Sequence, residues 1–149
     1  MAGNPLIEHR NLHGAGPRDS VVLIPEGQYG SLKEALEANK DKLEGAHLAW
    51  MDLRGIDLSG ANLRYAYFAG SRLDGANMTG ADLRDSNLRS VNLESAILKE
   101  AKLDGANLFS RDEISAVKGA NFEGASMGGI DFAGQDLSAQ VKAQGGQSV

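Results

Sequence analysis

Ala46-His47-Leu48-Ala49-Trp50-Met51-Asp52-Leu53-Arg54-Gly55-Ile56-Asp57-Leu58-Ser59-Gly60 decides the fold of this chain. Leu48, Leu53 and Leu58 recur every fifth residue, and the frame runs on without a gap through Leu63, Phe68, Leu73, Met78, Leu83, Leu88, Leu93, Leu98, Leu103 and Leu108. Two residues before each of these stands a small or apolar side chain, usually Ala, and between the two stands mostly Asn or Asp. Gly or Ser often follows two places after the large residue, as at Gly60, Gly75 and Gly80. A period of five suits neither regular element: a helix repeats about every 3.6 residues and a strand about every two. The unit is therefore a short strand and a corner. A unit this small cannot bury its own apolar face, so it must stack on the next one as a solenoid.

These residues resemble the pentapeptide-repeat family, whose consensus is Ala-(Asp/Asn)-Leu-X-X. The resemblance implies an all-β, right-handed quadrilateral β-helix with four pentapeptides to a coil. It turns the central Leu or Phe and the preceding Ala inward and the other three positions to solvent. The implied structural core is the row from Leu48 to Leu108 given above, extended by Phe122 and Phe132. Between them the frame breaks at 109–118, where Glu113 and Lys118 stand at positions due for apolar centres. Ile114 and Val117 suggest a short helical turn or bulged loop there. The frame resumes one residue early at Ala120-Asn121-Phe122 and continues through Gln135-Asp136-Leu137. About 17 repeats then make a little over four coils, roughly 20 Å of rod at about 4.8 Å between stacked strands.

The segments around the repeats read differently. Residues 1–30 form an N-terminal arm, irregular and polar up to Ser20, with a short β-rich run at Val21-Val22-Leu23-Ile24 ended by Pro25 and Gly27. Residues 31–44 are expected to be a capping helix over Ser31 to Leu43. Ser31 and Glu34 form a capping box, Leu32, Ala35, Leu36 and Leu43 share one face, and Gly45 supplies a stop. The repeat region occupies 46–138, interrupted at 109–118, and 139–149 is a polar tail.

Composition narrows the chemistry. The 149 residues suit one domain. A net charge of −5 with a pI near 5.1 argues against direct nucleic-acid binding, which needs a basic stripe. Without cysteine there are no disulfides and no thiolate metal sites. Neither a signal peptide nor a membrane span of ~18 apolar residues is legible, so a cytoplasmic location, or a virion assembled in the cytoplasm, is expected. No catalytic constellation and no cofactor motif stand out. His9 and His13 are far in sequence from His47, and no Gly-Lys-Ser follows the recurring glycines.

Stacked at the family's twenty-residue coil, Arg54 falls under Asp74 and Glu94, Asp52 under Arg72, Arg84 under Asp104 and Asp82 under Lys102. These read as charge ladders across coils that set register. One face is unlike the rest. His47 and Tyr67 share an outward column, Ala49 and Ala69 the next one, and Trp50 and Tyr65 stand at the bounding corners. The predicted partner-binding residues are His47, Trp50, Tyr65, Tyr67 and Ala69.

Two functions compete at this stage. The first is a non-catalytic structural or protein–protein interaction module, docking through its N-terminal arm or aromatic face onto a partner assembly such as a bacteriophage virion. The alternative, implied by the quinolone-resistance members of the family, is a DNA-mimicking gyrase-binding protein. A short rod, repeat faces that are nearly neutral between Ala46 and Phe109, and the lack of an apolar C-terminal helix argue against the alternative.

Overall fold

The computed structural model describes residues 31–108 and 117–130. The expected arm at 1–30, residues 109–116 of the expected interruption at 109–118, Phe132 and the polar tail lie outside the described residues. Parallel bridges join His47 to Tyr67, Asp52 to Arg72, Asp57 to Asn77 and Asn62 to Asp82, and each pairing repeats one coil later. Four bridges per twenty residues define a four-sided coil. Each side pairs through a single residue flanked by two backbone hydrogen bonds, as where Tyr67 N–H donates to Ala46 O (2.8 Å) and Leu48 N–H donates to Tyr67 O (2.7 Å).

The corners explain why five residues suffice. Ile56 N–H donates to Leu53 O (3.1 Å), closing a four-residue turn whose third residue, Gly55, has φ of 68°. That left-handed conformation suits Gly, which has no Cβ to clash. Ten described corners use Gly, and six use Trp50, Tyr65, Asp85, Ser90, Ser95 and Glu100.

Every described central residue from Leu48 to Leu108 is buried, as are Phe122 and Met127. They form four vertical rows, with Ala61, Ala81, Ala101 and Ala125 among the small residues between them. The row Leu53, Leu73, Leu93 continues with Val117, which is fully buried. The bridge offset grows from twenty to twenty-four residues here (Ile97 to Asn121, Lys102 to Ser126), so four extra residues postpone the next apolar centre to Val117. Asp104 fastens the longer coil: Ser126 Oγ donates to its Oδ2 (2.5 Å) and Gly128 N–H to its Oδ1 (2.8 Å). These bonds hold the Asp104 carboxyl below its ordinary range.

One small core position is mismatched. Ser86 stands where Ala66 and Ala106 stand in neighbouring coils; it is 2% exposed, and its hydroxyl has no hydrogen-bond partner. A buried hydroxyl without a partner is destabilising by about 1–3 kcal/mol. Ser86→Ala is therefore expected to raise stability by about 1 kcal/mol in a urea melt, whereas a lower midpoint would reveal a bond to that hydroxyl.

The helix is shorter than the sequence suggests. α1 spans Leu32–Glu37, and a 3-10 turn covers Lys40–Lys42. Ser31 is the N-cap, its side chain accepting from Glu34 N–H (3.2 Å). Asn39 Nδ2 donates to Ala35 O (2.7 Å) as the helix ends. Leu43 is no helix residue: it is the central residue of a repeat, with Ala46 N–H donating to its carbonyl (3.0 Å) and Gly45 N–H donating to Arg64 O (2.8 Å). Gly45, with φ of 71°, is a corner and not a helix stop. α1 packs Ala35 and Leu36 into the same core and reaches the strand edge of the first coil. There the Glu37 carboxylate accepts Asp57 N–H (2.9 Å), Lys40 O accepts Asn62 N–H (2.8 Å), and Lys33 Nζ donates to Arg54 O.

The ion pairs also close differently. Asp52 and Arg72 do stack across coils. Arg54, however, forks onto Asp52 of its own side (2.8 and 2.7 Å), and Arg84 onto Asp82 (2.8 and 2.6 Å). Arg72 pairs with Asp74 (2.8 Å). Residues two apart on one side both point outward, so a guanidinium bends back to its neighbour and makes two parallel bonds. The Arg54 fork holds the Asp52 carboxyl well below the usual carboxylate range. Exposed pairs of this kind contribute only about 0–1 kcal/mol.

Candidate functional site

The side that begins at His47 carries the aromatic residues. The ladder His47–Tyr67–Asn87–Asn107 runs up its middle. The His47 and Tyr67 rings stack with centroids 4.9 Å apart and planes tilted by 31°. Tyr65 and Trp50 bound this side at opposite corners. Arg64 lies over the Tyr65 ring, 5.1 Å from its centroid, and Nη2 donates to the Tyr65 hydroxyl (3.3 Å).

Trp50 is the most conspicuous side chain, 80% exposed. It holds φ of 59°, and Tyr65 holds 61°, conformations that raise the energy of an L-residue by about 1–2 kcal/mol. Glycine at either corner would avoid that strain, so inward stacking does not account for an aromatic there. The indole lies on the corner of the next coil. A Cβ built on Gly70 would come within 2.3 Å of two Trp50 ring atoms. One face of the ring is thus seated on the Gly70 backbone.

The Trp50 corner is also closed in its own way. Its neighbours close through a direct N–H to carbonyl bond between the first and fourth residues. Here the buried Ser71 hydroxyl bridges the gap, donating to Leu48 O and accepting from Met51 N–H (3.0 Å). A side chain from the following coil therefore holds the turn that carries Trp50.

Trp50 and Tyr67 flank a hollow of about 270 Å³, with Ala69 and Gly70 also lining it and Asn87, Arg89 and Ser90 completing it. Of the five predicted contact residues, the hollow brings together Trp50, Tyr67 and Ala69. Ala69 lines the hollow but is only 9% exposed, so it gives the hollow depth and offers little contact area. His47 joins through the Tyr67 ring, while Tyr65 does not line the hollow. Sequence reasoning missed Gly70, Ser71, Asn87, Arg89 and Ser90. Asn87, Arg89 and Ser90 each stand twenty residues after a residue of the face (Tyr67, Ala69 and Gly70), and that offset was the available signal.

Among the described residues, no group of three or more His, Cys, Asp or Glu side chains is placed to hold a metal ion. No helix among them is long and apolar enough to cross a membrane.

Stacked five-residue sides around an apolar core define a class, the short-repeat β-solenoids. Residues 42–109 match the family model described as pentapeptide repeats, in eight copies, and this segment belongs to that family. The fold is accordingly a right-handed β-helix. Among solved structures, the chain is similar to HetL, a pentapeptide repeat protein involved in heterocyst differentiation regulation in the cyanobacterium Nostoc. The two share 24% identity over 60% of this chain and 46% of HetL, with a TM-score of 0.36. The chain thus spans less than half the length of HetL. A pentapeptide repeat protein from the Arabidopsis thaliana thylakoid lumen shares 26% identity over 79% of this chain and 83% of its own, again with a TM-score of 0.36. QnrB1, a plasmid-mediated fluoroquinolone resistance protein, shares 20% identity over 67% of this chain and 68% of its own, with a TM-score of 0.36. No curated protein matches the chain significantly by sequence.

Proposed function

We propose that this protein is a non-catalytic docking module whose rigid solenoid presents the Trp50 face to a protein partner. The observation that carries the reading is Trp50 itself: a large indole, 80% exposed, at a corner where glycine would be less strained. Exposed aromatic side chains on a stiff scaffold are the usual anchors of protein interfaces, because they bury much area while losing little conformational freedom. In the same reading, residues 31–44 close the first coil, with α1 covering apolar rows and edge N–H groups that would otherwise meet water.

A duplex-mimicking, gyrase-binding role is less well supported. It needs a surface of uncompensated carboxylates, whereas Asp52 and Asp82 are each forked by an arginine of their own side.

The docking reading is tested with a Trp50→Ala, Tyr67→Ala double variant of the full chain. Its affinity for the partner recovered with the wild-type protein should fall by about 2–4 kcal/mol, the range of buried aromatic anchors. The thermal melt should barely move, because neither side chain belongs to the inner rows. Unchanged affinity would remove the aromatic face from consideration.

A further inference from the structure

We infer that the Tyr65 corner is a two-position switch, in which the Ser86 hydroxyl enters the turn below it and shifts Tyr65 together with Arg64. This rests on the fold alone and not on the docking reading above. Among the described residues two polar side chains are buried, Ser71 and Ser86. Each stands one coil above the fourth residue of an aromatic corner: Ser71 above Met51 of the Trp50 corner, Ser86 above Ala66 of the Tyr65 corner. The two hydroxyls are used differently. At the Trp50 corner, Ser71 Oγ donates to Leu48 O and accepts Met51 N–H (3.0 Å), in place of a direct bond across the turn. At the Tyr65 corner, Ala66 N–H donates directly to Leu63 O (3.1 Å), and the Ser86 hydroxyl is left without a hydrogen-bond partner.

The Trp50 corner shows what the second position looks like. Its third residue keeps the left-handed conformation, with φ of 59° against 61° at Tyr65. Its N–H still bonds to the coil above, Trp50 to Ala69 O (3.0 Å) as Tyr65 to Arg84 O (3.1 Å). Entry of a hydroxyl thus requires no new backbone class and keeps that anchor; it widens only the gap between the first and fourth residues. The exchange is nearly balanced in hydrogen bonds. One direct bond is lost, two form through Ser86, and a buried hydroxyl gains the partners it lacks. The size of the fourth residue decides which position is preferred. Ile56 is bulky like Met51, but Ala76 above it has no hydroxyl, and its turn closes directly (3.1 Å). Among the described residues, the Trp50 corner alone combines a bulky fourth residue with a serine above it. The Tyr65 corner has the serine but only Ala66 below it, so the turn closes and the hydroxyl stays unused. Arg64 lies over the Tyr65 ring and donates to its hydroxyl (3.3 Å), so the two side chains move together. The Arg64 Nε is buried and also has no partner, which gives this corner a second unmet donor.

Backbone 15N relaxation dispersion on the full chain tests this. A minor state populated at about 0.1–10% and exchanging in microseconds to milliseconds broadens the amides that it moves. The Tyr65 and Ala66 amides should show such exchange. The Ala81 amide should give a flat profile, because its corner closes directly (3.0 Å) and carries Ala101 above it. Ser86→Ala places here the residue that Ala66 and Ala106 already supply in the neighbouring coils, so the variant keeps the fold. It should flatten the Tyr65 and Ala66 profiles and leave Ala81 as it was. Flat profiles for Tyr65 and Ala66 in the wild-type protein overturn the inference. Exchange at these amides that survives Ser86→Ala overturns it as well, since the motion would then need no hydroxyl.

Discussion

Leu83→Asp is expected to abolish the cooperative native state. Leu83 is fully buried between Leu63 and Leu103 in one inward row, as the ladder Asn62–Asp82–Lys102 one residue away dictates. Truncating such a leucine costs about 2–5 kcal/mol through lost transfer energy and the space left behind. The carboxylate adds a penalty of several kcal/mol, because no Lys or Arg among the described residues is buried in that interior to compensate it. Domains of this size have a total stability of about 5–15 kcal/mol, so the sum consumes most or all of it. Stacking makes matters worse, since each coil is held chiefly by its neighbours and a broken middle coil leaves two short stubs. Two controls separate this from a general intolerance. Leu83→Met conserves volume and should cost less than about 1.5 kcal/mol. Asp82→Ala, one residue away, removes only a partly exposed ion pair worth about 0–1 kcal/mol. A cooperative thermal melt retained by Leu83→Asp would show that the inward rows are assigned wrongly.

The rows themselves were legible because one five-residue frame fixes which side chains face inward. Where that frame is ambiguous or changes length, sequence reading fails for identifiable reasons. Leu43 lies seven residues after Leu36, which suits a helix face, and five before Leu48, which suits a repeat. The repeat prevails because Gly45 and Ala46 find backbone partners in the solenoid. Val117 could not be placed in advance, since the projected centres at Glu113 and Lys118 assumed a constant coil of twenty residues. The aromatic residues were conspicuous by type, but the hollow depends on what stands one coil above them. Ser71 shows the limit most clearly. It reads as one more small repeat residue, yet its hydroxyl holds the turn that carries Trp50.

Gly70→Ala should be the most damaging alanine substitution among the corner glycines of the first coils, at about 2 kcal/mol. Two effects add. At φ of 73° the alanine Cβ meets its own backbone, costing about 1–2 kcal/mol as at any left-handed corner. The same Cβ would then lie 2.3 Å from two Trp50 ring atoms, so the indole must leave the surface it rests on. Gly75→Ala isolates the first effect, because its φ is 70° and no atom lies within 4 Å of an added Cβ. The excess of Gly70→Ala over Gly75→Ala in a urea melt therefore measures how firmly the ring is seated. In a Trp50→Ala background that excess should vanish, the signature of direct coupling in a double-mutant cycle. The function should respond with the structure. A displaced indole opens the wall of the hollow, so Gly70→Ala should weaken partner binding by an amount approaching that of Trp50→Ala, although its side chain adds only a methyl group. If both glycine variants melt alike and Gly70→Ala binds its partner normally, the indole is not held against Gly70, and the hollow it walls does not exist in solution.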